Sequence, residues 1–200
     1  MCINNDLLKN LLPYEGEVFD HGIIFPKEVS QHYFTELLDT LPWESDELIM
    51  FGKRIITKRK TAWIGNKGLK YTYAQQTKIP TPWTNSLLEI KNKIELITSA
   101  KFNACLLNLY HNGQEAMAWH SDDEKELGDY PAIASLSFGS SRKFSFRHKG
   151  TKEKVSLELS DGQLLMMQGE TQKYWSHMLH KSAKIKDPRI NLTFRQIYGT

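Results

Sequence analysis

Cysteines and long apolar runs are scarce in this sequence. Its 200 residues contain two cysteines, Cys2 and Cys105, which are too few for a disulfide framework and form no CxxC zinc module. No apolar run approaches the roughly 18 residues that a membrane-spanning helix needs. The N-terminal segment also lacks the basic and apolar parts of a secretory signal peptide. We therefore expect a protein without a membrane partner in a reduced compartment, the cytoplasm or, in a eukaryote, the nucleus.

A strong charge of either sign is absent as well. The formal net charge is +3 and 24% of the residues are charged, which permits a nucleic-acid partner but does not require one. No internal repeat, low-complexity tract or linker divides the chain. Residues 1–200 are therefore predicted to form a single domain, and we expect that domain to be a monomer.

Hydrophobic periodicity predicts helices in the first half of the chain and strands in the second. Residues 26–41 and 83–98 place apolar side chains at helical spacing, and residues 49–65 and 69–75 are typical of short strands. Apolar runs separated by turns predict six further strands, at residues 104–110, 131–139, 142–148, 154–159, 162–168 and 190–198. This pattern favours an α+β, mainly β fold. Its core would be a jelly roll (a double-stranded β-helix) at about residues 100–198, with N-terminal helices packed on it.

A candidate metal site begins at His120-Ser121-Asp122, the only HxD motif of the chain. Residues two apart in an extended segment project from the same face, so an imidazole and a carboxylate could reach one ion. A distant strand that contains His177 and His180 offers a third ligand. Two imidazoles and one carboxylate leave open positions on an octahedral ion, as in oxygen-activating iron(II) sites. The alternative is that His120 and Asp122 form a hydrogen-bonded surface pair without a metal.

A second candidate site lies in residues 189–195, where polar and apolar residues alternate. In a strand, Arg189, Asn191, Thr193 and Arg195 share one face, and the apolar residues between them share the other. Guanidinium groups bind carboxylates through paired, charge-assisted hydrogen bonds. This face could therefore anchor a small dicarboxylate such as 2-oxoglutarate, although a solvent-facing polar stripe is the commoner explanation of such alternation.

Asn108 and Tyr110 also share one face of a predicted strand. Their amide and phenol groups could contact the same ligand. For Tyr110 taken alone, a place in the apolar core is the simpler explanation.

In combination, these motifs resemble those of the AlkB family of nucleic-acid dealkylating dioxygenases. The similarity covers roughly residues 45–198 and is carried by Asn108-Leu109-Tyr110, by His120-Ser121-Asp122-Asp123-Glu124, by His177 and by Arg189 through Arg195. It implies that His120, Asp122 and His177 bind Fe(II), with His177 preferred to His180 because of its distance from Arg189 along the chain. It also implies 2-oxoglutarate and O2 as cosubstrates. Arg195 would hold the carboxylate of 2-oxoglutarate farther from the metal, and the rest of the molecule would lie among Asn108, Tyr110, Arg189, Asn191 and Thr193.

Within the family, the sequence most resembles the members that repair alkylated bases in duplex DNA. Residues 50–53 resemble the apolar finger that such members insert into the base stack, and residues 68–73 resemble their lid, so both features fall within about residues 45–80. The resemblance implies the following substrate contacts: Phe51, Gly52 and Lys53 in the finger, Tyr71, Thr72 and Tyr73 on the extracted base, and Asp123 and Glu124 at its polar edge. Tyr73 stands where phenylalanine is familiar, so the preferred lesion could differ.

A run of cations follows the predicted finger. Such runs are usually solvated faces, but beside the finger we expect phosphate contacts from its members, which are Lys53, Arg54, Lys58, Arg59 and Lys60.

The function that the resemblance implies is oxidative dealkylation of N-alkylated DNA bases such as 1-methyladenine and 3-methylcytosine. 2-Oxoglutarate and O2 would be converted to succinate and CO2, and a methyl group would leave as formaldehyde. A base inside a duplex cannot reach a buried metal, so it must first be extruded. Two alternatives remain, namely the same chemistry on RNA or a protein side chain, and a jelly-roll binding module without enzymatic activity.

Overall fold

Antiparallel strands make up most of the structure, a computed structural model that describes residues 8–50, 53–69, 71–73 and 76–198. For residues 46–50, 53–55, 71–73 and 76–78 it describes the main chain alone. The helices are α1 (Lys27–Thr40), α2 (Asn85–Thr98) and α3 (Thr171–Tyr174). The strands are β1 (Glu17–Ile23), β2 (Glu44–Met50), β3 (Lys53–Gly65), β4 (Tyr71–Tyr73), β5 (Gln76–Lys78), β6 (Ala104–Tyr110), β7 (Met117–His120), β8 (Ile133–Gly139), β9 (Arg142–His148), β10 (Lys154–Leu159), β11 (Gln163–Gln168), β12 (Trp175–Leu179) and β13 (Arg189–Arg195). No helix in the described part of the chain has the length and apolar character that crossing a lipid bilayer requires.

Two facing sheets form the body of the fold. The larger sheet has seven strands in the order β1-β11-β8-β13-β6-β3-β2, and the smaller has four in the order β10-β9-β12-β7. Strands β4 and β5 pair with each other as a separate hairpin. In the larger sheet, β13 lies between β6 and β8 and pairs with both along its full length. These two packed antiparallel sheets form the jelly roll that the sequence predicts.

Apolar side chains fill two layers, one on each side of the larger sheet. The outer layer joins that sheet to the long helices, through Leu37 of α1 and through Leu87, Ile90 and Ile94 of α2. Helix α2 begins after Thr84, whose side chain accepts a hydrogen bond from the amide of Leu87 and so caps the helix. The inner layer lies between the sheets and contains side chains of both, among them those listed here: Val18, Tyr110, Ile133, Phe144, Phe146, Leu165 and Trp175. The helices of the N-terminal half therefore pack outside the jelly roll, as predicted.

Several predicted elements have different bounds in the structure. The strand predicted at residues 49–65 is two paired strands, β2 and β3, and Phe51 and Gly52 between them lie outside the described residues. The strand predicted at 69–75 is replaced by the hairpin of β4 and β5. The sequence did not predict β1, and the bounds of β7 and β12 also escaped it. Strand β7 is short and has no buried residue, and β12 is short and carries the polar residues Ser176 and His177 at buried positions, so neither shows the apolar alternation on which strand prediction depends.

Candidate active site

Two histidines and an aspartate converge where β7 and β12 pair. His120 ends β7 and lies opposite His177 of β12 in the antiparallel register, so their ring centroids are 4.2 Å apart. Asp122 follows two residues later, and one ligand atom from each of the three residues lies within 4.8 Å of the others. His180 is not part of this cluster, since its Nε2 lies 2.7 Å from Ser145 Oγ. The structure thus brings together the three residues that the sequence selected.

The protonation states of these groups suit a divalent cation. The Nδ1 atom of His120 is 2.8 Å from the carbonyl oxygen of Ala118. Because a carbonyl only accepts, this nitrogen carries the hydrogen and Nε2 keeps its lone pair for a metal. Burial, followed by the charge of His120, lowers the pKa of His177 to about 3, so this imidazole is neutral near pH 7.

The carboxylate of the cluster is ionised. Burial raises the pKa of Asp122, but Arg195 and the two imidazoles outweigh burial, and the pKa lies below its ordinary value. Two imidazoles and one carboxylate form the donor set of non-haem iron(II) centres. The residues present therefore fit iron(II).

Two buried side chains hold Asp122 in place. Nη2 of Arg195 donates to Oδ1 of Asp122 at 2.7 Å, and Oδ2 lies 4.0 Å from Nε2 of His177. The amide of Asp122 donates to Oε1 of Gln172 in α3 at 2.9 Å. Sequence analysis missed Gln172, because a single glutamine in a one-turn helix belongs to no motif.

Arg195 lies at the metal end of the site, and this placement corrects the role that the family resemblance implied for it. Its Nη2 is engaged by a candidate metal ligand, Asp122, so this guanidinium is placed for the end of a ligand that lies at the metal and not for the carboxylate farther from it. The other arginine of β13, Arg189, lines the same cavity and is six residues away along the strand.

Arg189 is a buried cation with hydrogen-bonding capacity to spare. The residue is 2% exposed, and its Nη2 donates to Oγ of Ser137 at 2.9 Å. Its Nε has no hydrogen-bond partner among the residues that the structure describes. Burial lowers the pKa of Arg189 to about 10, so the side chain remains positive near pH 7. A carboxylate in the cavity could pair with it.

The predicted polar face of β13 lines one cavity together with the candidate metal ligands. Asn191 and Thr193 lie in this face between the two arginines, and Nδ2 of Asn191 donates to Oγ of Ser135 at 2.9 Å. The alternate residues Ile190, Leu192 and Phe194 are fully buried in the outer apolar layer. The alternative of a solvent-facing stripe is therefore excluded.

Asn108 and Tyr110 of β6 line the same cavity. Both are buried, and Oδ1 of Asn108 accepts a hydrogen bond from Nη1 of Arg59. The prediction that Arg59 contacts DNA phosphates was wrong, because this residue is 6% exposed. Arg59 shares a face of β3 with Thr61, which is opposite Asn108 in the sheet, so its side chain turns inward. Its neighbour Lys58 is exposed.

The remaining predicted substrate contacts divide into three groups. Glu124 lines the cavity, and its buried Oε2 has no hydrogen-bond partner within the described part of the chain. Asp123 is exposed and lies 3.6 Å from Nζ of Lys149. For Lys53, Tyr71, Thr72 and Tyr73 only the main chain is described, in β3 and β4, and Phe51 and Gly52 lie outside the described residues.

Comparisons with known proteins agree with this geometry. Residues 18–195 match the family model of the 2OG-Fe(II) oxygenase superfamily. The chain is 39% identical over 197 residues to the DNA oxidative demethylase ALKBH2 of Bos taurus, covering 93% of this chain and 71% of that protein. It is 42% identical over 187 residues to the alpha-ketoglutarate-dependent dioxygenase alkB homolog 3 of Bos taurus, covering 88% of this chain and 64% of that protein. The chain thus spans about two thirds of the length of these relatives.

Solved structures share the fold at low sequence identity. The structure of OsALKBH1 superposes with a TM-score of 0.61 and 15% identity, covering 92% of this chain and 99% of that one. An oxidoreductase of the 2OG-Fe(II) oxygenase family from Burkholderia pseudomallei gives 0.59 and 11%, covering 90% and 84%. With the family match over most of its length, this chain belongs to the 2OG-Fe(II) oxygenase superfamily.

Proposed function

We propose that this chain repairs DNA by oxidising alkyl groups on base nitrogens. The observation that carries the proposal is the convergence of His120, Asp122 and His177 at a cavity that Arg189 and Arg195 also line. Members of its superfamily use Fe(II), 2-oxoglutarate and O2, and a relative that is 39% identical is named a DNA oxidative demethylase. This name supports DNA as the substrate.

In this proposal, His120, Asp122 and His177 hold the iron. The carbonyl of Ala118 keeps the hydrogen of His120 on Nδ1, which directs the lone pair of Nε2 inward. Arg195 and Gln172 fix the side chain and the amide of Asp122. Such supporting contacts orient ligands and raise metal affinity.

The cosubstrate would lie along β13, where the two arginines Arg189 and Arg195 could each receive one of its ends. The 2-oxo acid end of 2-oxoglutarate belongs at the metal, beside Arg195. The second carboxylate then extends toward Arg189, which is buried and has hydrogen-bonding capacity left. Tyr110, whose ring centroid is 5.7 Å from Cζ of Arg189, borders this end. Asn108, Asn191 and Thr193 line the cavity and would surround the rest of the molecule.

Iron held by His120, Asp122 and His177 would supply the oxidising chemistry, in which 2-oxoglutarate and O2 give succinate and CO2 while one oxygen atom enters a C–H bond of the alkyl group. The resulting N–CH2–OH group breaks at its C–N bond, so that formaldehyde leaves and the nitrogen of the base is restored. No side chain of the protein needs to form a covalent bond with the substrate during this reaction. The protein holds the cosubstrate at Arg189, excludes water from the buried cavity and positions the base.

Glu124 indicates what kind of base the cavity accepts. Its Oε2 is buried at the cavity without a partner among the described residues, and an unpaired buried acceptor is costly. 1-Methyladenine and 3-methylcytosine carry a positive charge and an exocyclic amine. Either base could donate a hydrogen bond to Glu124 and compensate its charge, whereas an unmodified neutral base compensates it less.

Duplex DNA is the proposed form of the substrate, and the single-domain monomer is the proposed form of the enzyme. The support for a duplex is the hairpin of β2 and β3, in which Met50 pairs with Lys53. Phe51 stands between them in sequence, and an apolar side chain there could fill the gap left by an extruded base.

A repair assay on matched substrates tests the proposal. Oligonucleotides with one 1-methyladenine, as DNA duplex, single-stranded DNA and single-stranded RNA, are incubated with Fe(II), ascorbate and 2-oxoglutarate, and restored adenine is measured. We expect repair of DNA, with Phe51→Ala slowing repair of the duplex about tenfold and leaving the single strand nearly unchanged.

Two results would count against the proposal. Faster repair of RNA than of either DNA would favour RNA as the substrate. Equal loss on duplex and single strand in Phe51→Ala would remove the argument for the duplex, because a wedge matters only where bases are stacked in pairs. The control is Ile79→Ala, because the side chain of Ile79 is 80% exposed, whereas that of Phe19 packs against the core and its loss could destabilise the fold.

A further inference from the structure

A second buried guanidinium lies beside the end of the cavity that Arg189 occupies. Arg142, the first residue of β9, is 1% exposed. Its Nη2 donates to the carbonyl oxygens of Glu115 at 2.7 Å and His180 at 2.6 Å. Longer contacts of 3.4 Å reach the carbonyl oxygens of Gly113 and Asn112. Arg142 therefore ties the loop between β6 and β7 to the residue that follows β12.

Acidic side chains approach Arg142 without pairing with it: Glu115 and Glu158 favour its charged form from a distance, and no carboxylate of the described residues acts on Arg189 in this way. Within the described part of the chain, their hydrogen bonds go to carbonyl and hydroxyl oxygens, and neither takes part in an ion pair. The nearest acidic group on the loop, the carboxylate of Glu115, lies 3.0 Å from Nδ1 of His111 instead. Burial is the main reason why the pKa of Arg189 is lowered, and the charge of Arg142 lowers it further. The two cations therefore repel each other.

Both cations meet at Tyr110. Its ring centroid lies 5.8 Å from Cζ of Arg142 and 5.7 Å from Cζ of Arg189. An aromatic ring attracts a guanidinium, but it carries no net charge to compensate two of them. Arg189 is buried and has no carboxylate partner among the described residues, and a buried cation without a counter-charge is unfavourable. This end of the cavity therefore suits an anion.

We propose that Arg142 is a positioning residue for the dicarboxylate cosubstrate. By binding carbonyls of the loop that follows β6, it fixes Tyr110 against Arg189, and its charge strengthens the attraction for the carboxylate farther from the metal. This inference rests on the proposed function, in which Arg189 holds that carboxylate. Arg142 makes and breaks no bond, so it acts on cosubstrate binding and not on the oxidation itself.

Calorimetric titration of the Mn(II)-loaded full chain tests this role without turnover and without DNA. Two probes are compared. 2-Oxoglutarate carries both the chelating end and the second carboxylate, whereas oxalate chelates the metal but is too short to reach Arg189. The variants are Arg142→Gln and Arg142→Lys. The matched control is Lys143→Gln, which removes the same charge from the next, exposed residue of β9.

We expect Arg142→Gln to raise the Kd of 2-oxoglutarate about tenfold or more, and Arg142→Lys to raise it less, because lysine keeps the charge but not the planar fork. The Kd of oxalate should stay within about twofold in both variants, and Lys143→Gln should leave both probes unchanged. A purely structural residue would weaken both probes together.

The titrations can contradict either the role of Arg142 or the proposed function, and the two failures are distinguishable. Equal weakening of both probes, or no change for 2-oxoglutarate, would overturn the role of Arg142. Native protein that binds oxalate but not 2-oxoglutarate would overturn the proposed function itself, and this is seen before any substitution. If Arg142→Gln shows no cooperative unfolding in urea, Arg142→Lys carries the test, and its unchanged affinity for 2-oxoglutarate would be the contradicting result.

Discussion

At the scale of single residues, the candidate metal site depends on side chains that are not themselves candidate ligands. Asp122 can present Oδ2 to an ion because Arg195 occupies Oδ1 and Gln172 occupies the amide. Gln172 is 3% exposed, and its Nε2 also donates to Sδ of Met167 at 3.7 Å. Gln172 in the one-turn helix α3 therefore connects the inner apolar layer, through Met167, to the candidate metal ligand Asp122.

We expect Gln172→Leu to lower the affinity for Fe(II) or Mn(II) by about tenfold to a hundredfold, because the amide of Asp122 loses its acceptor and the ligand its orientation. Competition with a metal chelator measures this change. Lys173→Ala is the control, since the side chain of Lys173 is 56% exposed on the same helix. Unchanged metal affinity in Gln172→Leu would show that the hydrogen bond to Asp122 does not orient the ligand.

The arginines of the site show what sequence patterns can and cannot predict about single side chains. The alternation in β13 correctly predicted that Arg189 and Arg195 share a face, since both line the cavity. It could not tell which arginine lies near the metal, because that depends on where β7 ends on the opposite sheet. The run of cations that includes Arg59 was misleading because it does not show which side chains of the strand face inward. Arg59 points to the inner face of β3, where Asn108 accepts its hydrogen bond.

At the scale of elements, the turn between β10 and β11 joins the strands to the start of α1. Gly162 has φ of +75°, and a Cβ there would lie 2.1 Å from the carbonyl oxygen of Phe25. Its carbonyl accepts a hydrogen bond of 2.9 Å from the amide of Ile24. The close approach, as well as the left-handed backbone, requires glycine.

Gly162→Ala should lower the free energy of unfolding by more than about 2 kcal/mol, because strain and a backbone clash act together. Gly22→Ala is the matched control, since Gly22 has φ of +68° with nothing within 4 Å of the added atom. It should cost only about 1 kcal/mol, the strain alone. Urea titration of both variants measures the difference, and equal losses would contradict the role of the contact.

The end of α2 provides a pH-dependent contribution to stability. Oε1 of Glu95 accepts hydrogen bonds from the amide of Phe102 at 2.9 Å and from Lys91 at 3.0 Å, and Oε2 accepts one from Lys101 at 3.1 Å. Burial raises the pKa of Glu95, but these donors outweigh it and hold the pKa below its usual 4.5. A lowered folded-state pKa stabilises the fold above the unfolded pKa, and this stabilisation is lost as the pH falls through the folded value.

Glu95→Gln should therefore lower the free energy of unfolding by about 1 kcal/mol at pH 7 and by less at pH 3, because the stabilisation that depends on the charge of Glu95 is lost as the pH falls. Unfolding in urea at the two pH values measures this. Exposed Asp187→Asn should show no such pH dependence. A loss of equal size at both pH values would mean that the charge of Glu95 is not what stabilises the end of α2.

Elements differ in how far sequence could predict them. Helices α1 and α2 and strands β6, β8, β9 and β13 were predicted within a few residues, because each buries one regular apolar face or run. Strands β7 and β12, which carry the candidate metal ligands, have no such face, since β7 has no buried residue and β12 has the polar residue His177 at a buried position. Their register, which brings the two imidazoles together, follows only from the tertiary structure.

At the scale of the whole molecule, the fold explains why motifs far apart in sequence form one site. The two sheets face each other, so β13 in the middle of the larger sheet lies across the cavity from β7 and β12 in the smaller one. Residues 108, 120 and 195 thereby line one cavity. Sequence spacing suggested the components of this site, but their distances depend on the packing of the sheets.

The central claim is that this site couples oxidation of 2-oxoglutarate to repair of a base through His120, Asp122 and His177. Measuring succinate and restored adenine in the same reaction, with a 1-methyladenine oligonucleotide and Fe(II), tests it most directly. The account predicts about one succinate per restored adenine for the native chain, and neither product for His177→Ala, which still binds the oligonucleotide. Restored adenine without succinate, or full turnover in His177→Ala, would contradict it.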